Sequence, residues 1–224
     1  MTFSISAYCP ESGAMGIAIS SSSPAVAARC CHARADVGVV ASQNITDPSL
    51  GPKGLDLLAG GLSAQAALDG LLKDYPTAAW RQLTVLDGEG NSALYSGAET
   101  LGIHATAKGK NCAAAGNLLA DETVPNRMVA ALEASGGHLG DRLLAAMEAG
   151  RAAGGEAGPV HSAGLYIVRE VSWPIADLRV DWTETDPIQE LGKLWQLYKP
   201  QLEAYVTRAL DPTAAPSFGV PGDE

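Results

Sequence analysis

The sequence predicts an α+β protein built as a four-layer αββα sandwich, with two stacked, mainly antiparallel sheets and helices on both outer faces. Three observations lead there: strand patterns arrive as hairpins, helical patterns arrive in pairs, and the order is strands, two helices, strands, two helices, strands, helix. A doubly wound parallel sheet would need single crossover helices between its strands.

The elements follow in chain order. Residues 2–8 and 15–20 read as a hairpin around the Pro10 to Gly13 turn, and residues 37–43 as a third strand. After Asp47 and Pro48 come helical patterns at 52–59 and 63–73, split by Gly60 and Gly61. Ser63 is placed to cap the second, in which Ala67, Leu68, Leu71 and Leu72 recur at helical spacing. A second hairpin joins 82–86 to 92–95 through the Gly-rich turn at Asp87 to Asn91, and a strand at 111–115 follows a polar loop. Helices at 123–134 and 139–153 are rich in Ala and Leu, with acids early and Arg late, as the helix dipole favours. A flexible break at 154–159 precedes strands at 163–169 and 175–181. Pro187 opens a helix running to 197, Pro200 interrupts it, and 201–210 is helical again before a Pro- and Gly-rich tail at 212–224. One domain is expected over residues 2–198, with a C-terminal helix and tail over 199–224.

Composition excludes several classes. The 224 residues carry 25 acids against 15 Lys and Arg, a net charge of −10 with no basic run, so a nucleic-acid partner is not expected. No apolar stretch approaches the roughly 18 to 20 residues that cross a bilayer, and the first residues lack the pattern of a signal peptide. A soluble cytoplasmic protein is expected, with neither membrane partner nor cofactor. Cys9, Cys30, Cys31 and Cys112 lack Cys-x-x-Cys spacing and read as buried thiols. Cys30, Cys31 and His32 do not converge, because neighbouring strand residues face opposite ways, and no metal site is expected.

Seven segments together carry a resemblance: TFSISAY at the start, MGIAIS with SPAVAAR, ARADVGVVASQN, GPKGLDLLAGGLSAQAALDGLL, RQLTVLDGEGN, AAAGNLLA and DLRVDWTETDPIQELGKLW. Each is weak alone, but their order and spacing over most of residues 2–198 are similar to those of the family known as domain of unknown function 1028. That family is placed among the N-terminal-nucleophile (Ntn) hydrolases. The resemblance implies the αββα fold and leaves the substrate unidentified. In the wider superfamily an N-terminal Thr, Ser or Cys attacks a carbonyl while its own α-amine acts as base. Thr2 would become such a residue once Met1 is lost. A free α-amine titrates at about 7.7 to 8.0, close to the pH at which a general base works best. The expected activity is therefore hydrolysis of a small amide or ureide-like C–N bond; the alternative is an inactive scaffold used for ligand binding or assembly. No Asp or Lys lies between Glu11 and Asp36, so the proton relay must differ from that of proteasome-like Thr enzymes.

An acyl-transfer site needs hydrogen-bond donors where the oxyanion develops. Asn44, at the end of the third strand, and Asn117, in Gly116-Asn117-Leu118-Leu119, are the candidates, although either could simply cap a turn. Gly116 permits close backbone approach, Ser21 and Gln43 are candidates to line the substrate site, and Arg34 is a candidate for binding a substrate carboxylate or for a structural ion pair. His161 beside Ser162 is the competing nucleophile pair, but its surroundings read as a strand entry. Asp177, Arg179 and Asp181 share a strand face and read as a charge network. Trp195, Leu197 and Tyr205 offer an apolar surface for a homo-oligomer.

Overall fold

The computed structural model describes residues 2–220 and 222. Ten strands form two sheets among these residues: β1 (Thr2–Tyr8), β2 (Met15–Ser21), β3 (Cys31–Arg34), β4 (Gly38–Asn44), β5 (Arg81–Asp87), β6 (Ser92–Ser96), β7 (Ala105–Gly109), β8 (Cys112–Asn117), β9 (Ser162–Val168) and β10 (Ala176–Val180). The six-stranded sheet has the order β10-β9-β2-β1-β8-β7 and the four-stranded sheet the order β3-β4-β5-β6. Every neighbouring pair is antiparallel.

Between β2 and β3 runs the one-turn helix α1 (Val26–Cys30). Helices α2 (Leu50–Ala59) and α3 (Ala64–Leu72) cover the four-stranded sheet. Helices α4 (Val124–Ala134), α5 (Leu139–Ala152) and α6 (Pro187–Tyr198) cover the six-stranded one, giving the αββα layers. A final helix, α7 (Leu202–Leu210), adds Leu202 and Val206 to the same core as α4 to α6. No helix among the described residues is long and apolar enough to cross a membrane.

Strand alternation explains how the layers divide. On β1, Phe3, Ile5 and Ala7 join the core beneath α4 and α5, while Thr2, Ser4 and Ser6 take the opposite face. On β2, Met15, Ile17 and Ile19 meet Val39, Ala41 and Leu86 between the sheets. The inter-sheet layer is therefore apolar under β2 and polar under β1.

Three elements lie outside the sequence expectations. Residues 105–109 read as polar loop yet form β7, an edge strand whose Ala, Thr, Lys and Gly carry little strand preference. Its place comes from pairing with β8 and from Ala107 packing beneath α4. The single turn of α1 and the four residues of β3 are too short to show a period. Trp195 also corrects an expectation. It is 0 % exposed, its Nε1 donates to Asp141 at 2.8 Å, and it belongs to the chain's own core. Leu197, at 70 % exposure, and Tyr205 are the residues of that group that face outward.

The charges of α5, Asp141 in its first turn and Arg151 in its last, follow the expected dipole chemistry, whereas α4 has no acid in its first turn and no base in its last. Ser63 Oγ accepts from Ala66 N at 3.3 Å and caps α3. Ser63→Ala should cost about 1 kcal/mol of stability, read as a lower urea midpoint with unchanged slope. An unchanged midpoint would show that the cap contributes nothing.

Candidate active site

The site is built from the polar half of the inter-sheet layer. Ser4 Oγ donates to Gln43 Oε1 at 2.8 Å, and Gln43 Nε2 donates to Gln82 Oε1 at 2.8 Å. Asn117 Nδ2 donates to that same oxygen at 3.0 Å. Gln82 Nε2 in turn donates to Gly116 O and to Ser96 Oγ, both at 3.0 Å. These side chains come from β1, β4, β5, β6 and β8, so the network ties the two sheets together. The amide orientation of Gln82 follows from its partners, since its oxygen receives two donors and its nitrogen faces a carbonyl. Such a network rigidifies its members because each buried amide would otherwise lose its partner.

Thr2 stands at the end of this layer. It is the first residue of β1, 5 % exposed, and lies opposite Asn117 in the β1/β8 register. Thr2 Oγ1 donates to Ser21 Oγ at 3.5 Å, the outer limit of a hydrogen bond, and Ser21 Oγ accepts from Ser23 N at 3.0 Å. Gly116, next to Asn117, is closely packed, and a side chain there would force Leu119 to shift. A Cβ there would sit 2.6 Å from Leu119 Cδ2.

Glu156 completes the group, and no motif announces it. It is a lone acid in the small-residue run Gly154-Gly155-Glu156-Ala157-Gly158, read from sequence as a flexible break. The structure buries it to 5 % exposure, with both carboxylate oxygens accepting from Ser22 N at 3.1 and 3.3 Å. Burial raises its pKa to about 7, against the opposing pull of the chain's positive N-terminus, of the Ser22 hydrogen bond and of His161. Beside it opens a cavity of about 330 Å³ lined by Phe3, Arg151, Glu156, Val160, Thr185 and Asp186 among others. Gln82 is the second residue that the sequence reading missed. Its signal was the alternation of Gln82 and Thr84 with Leu83 and Val85, which marks a polar strand face.

Of the sequence candidates, Thr2, Ser21, Gln43, Gly116 and Asn117 come together. Asn44 sits at the same strand end as Gln43, but its side chain holds a loop. Its Nδ2 donates to Trp80 O at 2.7 Å and Glu99 O at 3.4 Å, and its Oδ1 accepts from Leu101 N at 3.2 Å. Its φ of 70° is one that Asn tolerates better than most residues, consistent with a turn role. Arg34 lies on the edge strand β3 and pairs with Asp56 of α2 at 2.8 Å, an exposed ion pair.

His161 and Ser162 do not form a nucleophile pair. Ser162 Oγ donates to Ser23 O at 2.6 Å, whereas the His161 ring stacks on Trp182 at 4.3 Å and its Nδ1 lies 2.8 Å from Thr183 O. Arg179 and Asp177 pair at 2.7 Å on the outer strand β10, as a structural network would. All four cysteines are free and buried, and no three His, Cys, Asp or Glu side chains among the described residues gather to hold a metal.

The arrangement can present a hydroxyl at a strand end beside fixed amides and a buried carboxylate. A crystal structure of protein SPO2555 from Silicibacter pomeroyi, of the DUF1028 family, is 31% identical to this chain, with 88% of each chain covered and a TM-score of 0.82. Anbu (ancestral beta-subunit) from Yersinia bercovieri shows 9% identity and a TM-score of 0.39 over 91% of this chain and 97% of its own, too slight a likeness to carry weight. No functionally curated protein matches the chain. The model of the family described as "Family of unknown function (DUF1028)" matches residues 2–191, and the chain belongs to that family.

Proposed function

We propose that the protein is an N-terminal-nucleophile amidohydrolase that cleaves a small amide or ureide-like C–N bond through an acyl-enzyme on Thr2, after removal of Met1. The observation that carries this reading is the position of Thr2. It begins the strand between β2 and β8, opposite Asn117, with its hydroxyl at the end of a buried polar layer.

The chemistry balances on one residue. Thr2 Oγ1 attacks the substrate carbonyl carbon while the Thr2 α-amine takes the hydroxyl proton. When the tetrahedral intermediate collapses, the C–N bond breaks and the ammonium returns that proton to the leaving amine. Water then attacks the ester by the same route and releases Thr2. Asn117 suits the oxyanion better than Asn44, because an amide carries two N–H donors and Asn117 gives one to Gln82, whereas Asn44 turns both its donor and its acceptor to the backbone of a loop. Ser21 and Gly116 support the site from the strands that flank β1, and Gln43 from the facing sheet. Arg34 stands apart from this group in its pair with Asp56.

The near-complete burial of Thr2 favours a second reading, a closed scaffold without turnover. Intact-mass measurement on protein from the native host separates the two. Loss of Met1 supports the enzyme, and full retention supports the scaffold.

We also place the protein in the cytoplasm as a homo-oligomer. Leu194 and Leu197 on α6 and Tyr205 and Leu210 on α7 leave apolar surface exposed, and a second copy would cover it. Light scattering should give at least twice the mass of the 23.0 kDa chain. A monomer mass at micromolar concentration rejects the assembly.

A further inference from the structure

Glu156 occupies a defined place relative to the central strand. Ala120 N donates to Gly155 O at 3.0 Å and Ala157 N to Leu118 O at 2.9 Å, so Glu156 bridges to Leu119 and runs beside the continuation of β8. Its carboxylate reaches the other way, to Ser22 N, one residue past the end of β2. β2 and β8 flank β1, two strand spacings or about 10 Å apart. A group that touches both beyond their ends lies across the extension of β1, in front of Thr2.

The charged groups around that carboxylate have other partners. Arg151, at the end of α5, pairs with Glu148 at 2.7 Å and with Asp186, the cap of α6, at 3.4 Å. His161, at the entry to β9, lies 2.8 Å from Thr183 O and 4.0 Å from Glu184. None of these cations is hydrogen-bonded to Glu156 among the described residues. Burying a carboxylate is unfavourable, and its raised pKa records that cost, opposed first by the positive charge of the chain's N-terminus. Asn117 Oδ1, opposite Thr2, is a second buried acceptor with no partner.

We propose that Glu156 is the counter-ion of the Thr2 α-ammonium, a positioning residue that holds the N-terminal amine at the nucleophile and stabilises the positive charge it acquires when it takes the hydroxyl proton. The assignment rests on the reading of Thr2 as the mature N-terminus. The N-terminal charge already lowers the Glu156 pKa, and removal of Met1 moves that charge onto Thr2, where the two groups titrate as a coupled pair.

The test requires no substrate. Protein released from a cleavable tag so that it begins at Thr2 is trace-labelled with acetic anhydride across a pH series, and acetylation of the N-terminal peptide is read by mass spectrometry. In Glu156→Gln, which keeps an acceptor for Ser22 N, the amine should titrate about one unit lower and react about tenfold faster below its pKa. Superimposable curves for the two proteins overturn the assignment. Should Glu156→Gln fail to fold by circular dichroism, carboxyl ¹³C NMR of the wild-type chain decides. Acetylating the Thr2 amine should raise the Glu156 pKa, and an unmoved titration overturns the proposal. Coupled titration in a protein that hydrolyses no amide would sink the hydrolase reading and leave this pairing standing, whereas an active enzyme with uncoupled titration would do the reverse.

Discussion

Thr2→Ala abolishes turnover, by at least about a thousandfold, while the protein keeps its unfolding midpoint to within roughly 1 kcal/mol. The asymmetry has a structural cause. The hydroxyl of Thr2 donates a long hydrogen bond to Ser21, whereas Phe3 and Ile5 on the other face of β1 hold the core. Thr2→Ser retains part of the activity, because hydroxyl and amine both survive. Retaining Met1, or leaving a tag, is nearly as damaging as Thr2→Ala, since an amide replaces the base and extra chain crowds the strand end. The measurement is hydrolysis of a panel of small amides by a protein beginning at Thr2, compared with the same protein carrying a tag. Equal rates in the two would remove the N-terminal mechanism and return attention to other groups, although Ser162 is committed to the backbone of Ser23.

Gln82→Leu lowers stability by about 3 kcal/mol, roughly 6 to 12 °C in melting temperature for a chain of this size. Leucine approximates the volume of glutamine but leaves Gln43 Nε2 and Asn117 Nδ2 without their shared acceptor and Gly116 O without its donor. Each is buried between sheets, where an unmade hydrogen bond costs far more than a made one contributes. The same variant releases Asn117 from its fixed orientation opposite Thr2, so kcat should fall together with stability. Ser96→Ala is the control, since it removes only a terminal partner of Gln82 and should cost less than about 1 kcal/mol. Urea unfolding measures both. A Gln82→Leu protein within 1 kcal/mol of wild type would mean that the network does not hold the sheets.

The helices were legible because their burial repeats along one chain segment. Residues 63–73 carry Ala67, Leu68 and Leu71 at helical spacing after a capping Ser63, and the structure places α3 at Ala64–Leu72 on those terms. The first hairpin was legible from its turn, and the pairing of helices between hairpins led to the layers. Local sequence carries such information because helix caps, turns and periodic faces involve residues a few positions apart.

What the sequence by itself determined was therefore most of the elements, the αββα class, and a candidate set of Thr2, Ser21, Arg34, Gln43, Asn44, Gly116 and Asn117. Only the tertiary structure decided which of these meet. The alternation of Thr2, Ser4 and Ser6 with Phe3, Ile5 and Ala7 resembles a strand with one face in water, but stacking of the second sheet buries both faces and turns the polar one into a network with Gln43 and Gln82. Asn44, the immediate neighbour of Gln43, is diverted to a loop because adjacent strand residues point opposite ways. Glu156 was invisible for a related reason. Its role depends on a loop after α5 lying across the ends of β2, β1 and β8, and contacts to Leu119 and Ser22, far away along the chain, leave no period or spacing in it.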